Sequence, residues 1–203
     1  MADQQFKTFR VTDLPILGRA TIEEARSLLA MLHHGLGYDK LAVSGSSMGG
    51  LHAAMVATLM QFPVGMVAWM APPSAIPAFV SGILSSSCAW ESLCQDQKYL
   101  TVLQMVREKD ATLSDSPNVR TLLREFLRIT SINNFPVPLR PDATYFAVGD
   151  HDAYIGSVWE EWNELLEHWQ TTVIEQFPVG HISGILFQNQ QQQGAIRRVL
   201  DIL

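Results

Sequence analysis

Residues 41–62 read LAVSGSSMGGLHAAMVATLMQF, and this stretch decides the fold. A short apolar run leads into a glycine-flanked serine, Gly45-Ser46-Ser47-Met48-Gly49, and a long run of good helix formers follows. The pattern predicts strand, sharp turn, helix. A serine hydroxyl is a poor nucleophile at neutral pH, so it needs a base beside it and a backbone that presents it clear of its neighbours. Gly45 and Gly49 leave room for a tight reversal that holds Ser47, the candidate nucleophile, at the carboxyl end of the strand. The Met48 N–H then points at a developing oxyanion, and the helix behind adds a positive dipole end. A Gly-x-Ser-x-Gly match alone arises by chance in about one chain of this length in fifteen. Its place between an apolar strand and a helix is what gives it weight.

Working outward, TIEEARSLLAMLHH (21–34) opens with Thr21 as a helix N-cap and Glu24 three positions on, and sets Ala25, Leu28, Leu29 and Leu32 on one face. Gly35 ends it. Val64 to Ala71, Ala143 to Val148 and Thr171 to Phe177 read as further buried strands. Between the last two, SVWEEWNELLEHW places Trp159, Trp162, Leu165, Leu166 and Trp169 at helical spacing, a core face rather than a binding box. Strands alternating with helices argue for a mostly parallel sheet covered on both faces. Residues 73–141 interrupt the rhythm with helix-like pieces such as TVLQMVREK and NVRTLLREFLRI, and are read as a helical cap inserted over the sheet.

The base belongs on a loop after the last strand, where Pro178-Val179-Gly180-His181 lies. His33, His34 and His168 sit in helices on the wrong side of their strands, His52 lies inside the helix after the serine, and His151 adjoins the acid, so all five read as structural. An orienting carboxylate belongs after the third strand, where Gly149-Asp150-His151-Asp152-Ala153-Tyr154-Ile155 offers two. Asp152 is preferred because Ile155, three residues on, can pack its loop, whereas Asp150 can serve as a turn cap. The resulting order is Ser47, Asp152, His181, with Met48 as backbone oxyanion donor.

Composition narrows the partners. The 203 residues are 47% hydrophobic and 17% charged, enough for one globular domain, with 20 acidic and 14 basic residues mixed along the chain for a net charge of -6. There is no basic stripe for a phosphate backbone, which argues against nucleic acid. The two cysteines, Cys88 and Cys94, form no CxxC pair or metal-spaced cluster, so neither a metal nor a cofactor is expected, and an intracellular reducing compartment is favoured. No signal-peptide pattern or membrane-length apolar run occurs. The glutamine tract at 188–193 reads as a polar loop or helix start.

The stretches SGSSMGGLHAAMVA, SAIPAFVSGILSSSCAWESL, DAYI and GHISGILFQ resemble those of the eukaryotic α/β-hydrolase domain-containing protein 18 family, from about residue 20 to the end. The resemblance implies the C-terminal part of an α/β-hydrolase fold over residues 1–203, and a triad at Ser47, Asp152 and His181. It also implies a carboxylic, including lipid, ester as substrate. Family members carry several strands before the serine turn, whereas here the nucleophile is the 47th residue. The resemblance therefore implies a shortened domain lacking the upstream loop that supplies a second oxyanion N–H. His34-Gly35-Leu36-Gly37 is a helix stop rather than that loop, because it leads into the nucleophile strand. A strand left without its usual neighbour presents an open edge suited to self-association, and FKTFRV (6–11) is a candidate to pair with it. The leading expectation is a serine ester hydrolase. Its rivals are a non-catalytic binding or scaffold protein, and an acyltransferase or peptidase using the same three residues.

Overall fold

The computed structural model describes residues 13–95, 101, 119–156 and 158–203. FKTFRV and nearly all of TVLQMVREK lie outside the described residues.

Each apolar run expected to be a strand forms one: β1 (Ala42–Ser46), β2 (Gly65–Trp69), β3 (Thr144–Gly149) and β4 (Val173–Phe177). They make one parallel sheet whose spatial order, β1-β2-β3-β4, is also their chain order. The register sets Ser46 opposite Trp69, Trp69 opposite Ala147, and Gly149 opposite Phe177, so β3 and β4 run two residues beyond β1 and β2 and all four carboxyl ends lie at the same edge of the sheet. β2 is buried throughout and β3 all but its last residue, as their unbroken apolar sequences require, while the outer strands β1 and β4 are half-exposed.

The helices are α1 (Asp13–Ala30), α2 (Met48–Leu59), α3 (Trp90–Gln95), α4 (Val119–Leu127), α5 (Trp159–His168), α6 (His181–Phe187) and α7 (Asn189–Ile202). Strand alternation divides the core. Met66, Ala68, Phe146 and Val148 meet α2 and α5 on one face, with Leu51, Met55, Trp162 and Leu165. Val67, Trp69, Tyr145 and Ala147 meet α7 on the other, through Ala195 and Val199. The sheet is therefore covered by helices on both sides, and its carboxyl edge is left for the connecting loops.

Two helices differ from the sequence expectation. α1 begins at Asp13, so Thr21 lies inside it rather than capping it, and the helix runs into a wider turn at Met31–Gly35. Pro15 does not prevent the earlier start, because a first-turn residue has no intrahelical use for its N–H. The face of α1 turned inward carries Gly18, Ile22, Ala25 and Leu29, leaving Leu28 53% exposed. In α5 the buried stripe is Trp162 and Leu165, continued by Trp169 after the helix. Trp159 and Leu166, three residues before and four after Trp162, lie at the margin of that stripe and are 40% and 39% exposed.

Between β2 and β3, the apolar residues Ile76 and Val80 pack with Leu123 and Leu127 of α4 as a small core of their own. The main chain closes this segment on itself through Ile132 N–H to Pro73 O at 3.0 Å, and joins it to the loop after β3 through Ile83 N–H to Ala153 O at 3.1 Å. The glutamine tract begins α7. Among the described residues, no helix is long and apolar enough to cross a membrane.

Candidate active site

Ser47 occupies the turn between β1 and α2 with φ 55° and ψ −125°, a backbone conformation that side-chain-bearing residues rarely adopt. Such a residue costs on the order of 1–3 kcal/mol and persists only where its surroundings enforce it. Here Ser47 N–H donates to Trp69 O at 2.8 Å, and Ser47 O accepts the N–H groups of Gly50 and Leu51 at 3.0 and 3.2 Å. A Cβ on Gly45 would lie 2.3 Å from the main chain of Gly49, so no side chain fits there. At Gly49 itself a Cβ meets nothing within 4 Å, whereas on Gly50 it would lie 2.6 Å from the Ala71 methyl. The second position that must lack a side chain is therefore Gly50, not Gly49. Met48 is the first residue of α2, so its N–H has no carbonyl a turn earlier to bind and lies at the positive end of the helix.

Asp152 sits in the turn after β3 and His181 begins α6 after β4. The two loops are stitched by main-chain bonds from Asp150 N–H to Phe177 O at 2.9 Å and from His151 N–H to Val179 O at 3.2 Å. A Cβ on Gly149 would lie 2.5 Å from Val179 O, so the loops approach at backbone contact. Ser183 Oγ accepts the Gly180 N–H at 3.0 Å and closes the start of α6.

The structure brings Ser47, His181 and Asp152 into one hydrogen-bonded row. His181 Nε2 lies 2.9 Å from Ser47 Oγ, and His181 Nδ1 lies 2.7 Å from Asp152 Oδ2. The His181 and Asp152 side chains are only 6% and 3% exposed, so the pair is shielded from water while Ser47 stays partly open. Asp152 Oδ1 accepts the N–H groups of Tyr154 and Ile155 at 2.9 and 3.1 Å, which fixes the carboxylate plane and leaves Oδ2 for the imidazole. Ile155 is buried, as its spacing from the acid suggested. A row of hydroxyl, imidazole and carboxylate can pass the hydroxyl proton to Nε2 while the carboxylate holds the proton on Nδ1.

The remaining candidates lie elsewhere. Asp150 and His151 are exposed and take part through their main chains. His33 stacks on Phe62 with His34 edge-on to the same ring, and His168 Nε2 meets Phe135 O. His52 lies against Gly18, where burial pushes its imidazole below the ordinary histidine value. His34-Gly35-Leu36-Gly37 is a helix ending, with Gly37 at φ +74°. One aromatic contact was not evident from sequence: the Tyr154 ring lies over His181, centroids 4.7 Å apart.

A cavity of about 260 Å³ adjoins the acid loop, walled by Val148, Ile155, Val158, Trp159 and Trp162, with Asp152 among its lining. Another, of about 330 Å³, is lined by Ile76, Pro77 and Ser81 together with Arg124, Glu160 and Glu161. Its lining is thus partly charged, and Ile76 and Val80 are engaged in packing against Leu123 and Leu127. Among the described residues no group of three or more histidine, cysteine, aspartate or glutamate side chains is placed to hold a metal ion.

Comparison with known proteins places these features in context. The family described as alpha/beta hydrolase domain containing 18 matches residues 3–202. Among solved structures, an alpha/beta fold family hydrolase from Bacillus anthracis str. Sterne is 15% identical, with 88% of this chain and 73% of that one covered at a TM-score of 0.49. A monoacylglycerol lipase from Paleococcus ferrophilus is 16% identical, covering 89% and 75%, also at 0.49. A carboxylesterase structure from Nitrososphaera gargenis is 13% identical, covering 90% and 74% at 0.46.

Proposed function

The chain belongs to the alpha/beta hydrolase domain containing 18 family, and from that premise we propose that it is a serine hydrolase of carboxylic esters, lipid esters among them, with Ser47 as nucleophile. The observation that carries the reading is the single imidazole of His181 bridging Ser47 Oγ at 2.9 Å and Asp152 Oδ2 at 2.7 Å.

In this mechanism His181 Nε2 takes the hydroxyl proton as Ser47 Oγ attacks the acyl carbon, and Asp152 stabilises the imidazolium through Nδ1–H. The Met48 N–H donates to the carbonyl oxygen as it becomes an oxyanion. Collapse of the tetrahedral intermediate breaks the ester C–O bond, and the imidazolium returns the proton to the leaving alcohol. Water, deprotonated by the same Nε2, attacks the acyl-serine and releases the carboxylic acid, and Ser47 recovers its proton. Residues 73–141 act as the cap over this site, and the Ile83 N–H bond to Ala153 O is consistent with that role because it fastens the segment to the loop bearing the acid.

The test is labelling with a serine-directed fluorophosphonate. Folded wild-type protein should be labelled and Ser47→Ala should not; absence of labelling in the folded wild type, or equal labelling of the variant, overturns the proposal. Acyl transfer and peptide cleavage use the same three groups with a different acceptor or bond. A panel of esters, peptides and acyl acceptors separates them, and preferred turnover of peptides would reverse the ester assignment.

A further inference from the structure

α6, the helix that begins with His181, is seven residues long and buries only His181 and Gly184. Ile182, Leu186 and Phe187 are 52%, 57% and 77% exposed. A helix this short has little stability of its own, so the position of the base depends on its tertiary contacts, among them Ile185 against the core around Trp69 and the contacts made at Gly184. Two consecutive residues at the end of β2 hold it there. The Trp69 indole N–H donates to Gly184 O at 2.8 Å in a fully buried bond, in the last turn, where helical carbonyls run out of intrahelical donors. Met70 follows with φ 47°, anchored by its N–H to Ala147 O at 2.8 Å. That turn brings its side chain against Gly184 so closely that a Cβ there would lie 2.7 Å from Met70 Sδ.

Trp69 also faces the other reactant, because its carbonyl accepts the Ser47 N–H at 2.8 Å. One residue thus binds the main chain of the serine turn and the helix of the histidine. It is rigidly seated: Trp69 is 0% exposed, its ring tilted against Phe177 at 5.3 Å and parallel to Tyr145 at 6.4 Å. A phenylalanine or leucine would fill much of the same space but has no donor for Gly184.

We propose that Trp69 is a positioning residue which, with Met70 behind it, sets the gap between Ser47 Oγ and His181 Nε2. This rests on the hydrolase reading above. An error of about 1 Å in such a gap costs on the order of a hundredfold in rate.

The experiment measures the inactivation constant kinact and the binding constant KI for a fluorophosphonate on the full chain, together with deuterium uptake by residues 181–187. Trp69→Phe, which keeps a ring and removes the N–H, should lower kinact about 10- to 100-fold with KI within about twofold, and α6 should exchange faster. Val199→Ala truncates the same core near the amino end of β2, beside Gly65. It controls for general loosening and should leave kinact within about threefold. Gly184→Val, whose branched side chain is larger than a shift of the Met70 thioether can accommodate, should reproduce the kinact loss, and it decides the matter if Trp69→Phe does not fold. Wild-type kinact in Trp69→Phe or Gly184→Val overturns the proposal, as does an equal loss in Val199→Ala at a matched drop in melting temperature. A folded wild type that is never labelled defeats the hydrolase reading. The exchange arm still judges the clamp in that case, and unchanged uptake in α6 rejects it.

Discussion

The phenol ring of Tyr154 lies over the imidazole of His181, with centroids 4.7 Å apart and planes 25° from parallel. The same residue donates its main-chain N–H to Asp152 Oδ1, so the acid's loop also supplies a π face for the base. In the proposed mechanism proton transfer from Ser47 makes the imidazole a cation, and a cation over an aromatic face gains about 0.5–1 kcal/mol. Tyr154→Leu should therefore slow fluorophosphonate labelling and ester turnover roughly two- to fivefold. Tyr154→Phe, which keeps the ring, should stay close to wild type. Equal rates in the leucine variant would show that the stack has no part in the reaction.

Asp152→Asn should be far more damaging than its small change of shape suggests. Two main-chain N–H groups already claim Oδ1, so the asparagine places its carbonyl oxygen there and turns its NH₂ toward His181 Nδ1. Nδ1 must then accept, which puts the ring proton on Nε2, and Nε2 can no longer take the serine proton. Turnover should fall about 10³- to 10⁴-fold in a protein that still melts cooperatively. Asp150→Asn, on an exposed residue, should retain activity within about threefold.

The three side chains of the hydrogen-bonded row were legible because each follows a strand end, and strand ends of a parallel sheet share one edge. The glycine-flanked serine, the residue spaced three before Ile155 and the histidine after TTVIEQF can all be found by reading forward from an apolar run. Trp69 and Tyr154 were not legible. Trp69 lies within a run that reads simply as core, and its partner Gly184 is 115 residues away, so only tertiary structure reveals where its N–H goes. The start of α1 was misplaced because Thr21 and Glu24 satisfy a capping pattern that the helix, already under way from Asp13, never uses. Gly49 drew notice for its place in the motif, whereas the crowding that demands a glycine is at Gly50, against the Ala71 methyl.

Gly82 should tolerate no side chain. Its backbone, at φ −74°, suits any residue, but a Cβ would lie 2.1 Å from Tyr154 O and 2.9 Å from Pro77 O, both main-chain atoms. Gly82→Ala should cost about 1–3 kcal/mol, seen as a lower melting temperature, with a loss of turnover because the displaced atoms belong to the acid loop. An unchanged melting temperature would show that the two segments can separate freely.

Glu161 supplies a pH-dependent test of stability. Burial raises its carboxyl above the usual range, against the lowering influence of the Ser74 hydroxyl and of Arg124, and with Glu164 adding to the rise. The folded protein therefore holds this proton more tightly than the unfolded chain does. The ionised carboxylate costs stability above the raised folded value, and that cost vanishes as pH falls through it toward the unfolded value of about 4.3. Glu161→Gln should melt higher than wild type at pH 7, and the advantage should disappear near pH 4. A gain that persists unchanged at low pH would assign it to packing instead.

The bond between Ser47 and His181 joins residues 134 apart in a sheet whose strands are laid down in chain order. A ribosome delivers the serine turn and the carboxyl end of β2 long before β4 and α6 emerge. Until then the nascent protein holds an oxygen that nothing can deprotonate. On the proposed mechanism the last segment to be made is the one that arms the serine, so a partly made chain carries the hydroxyl without its base.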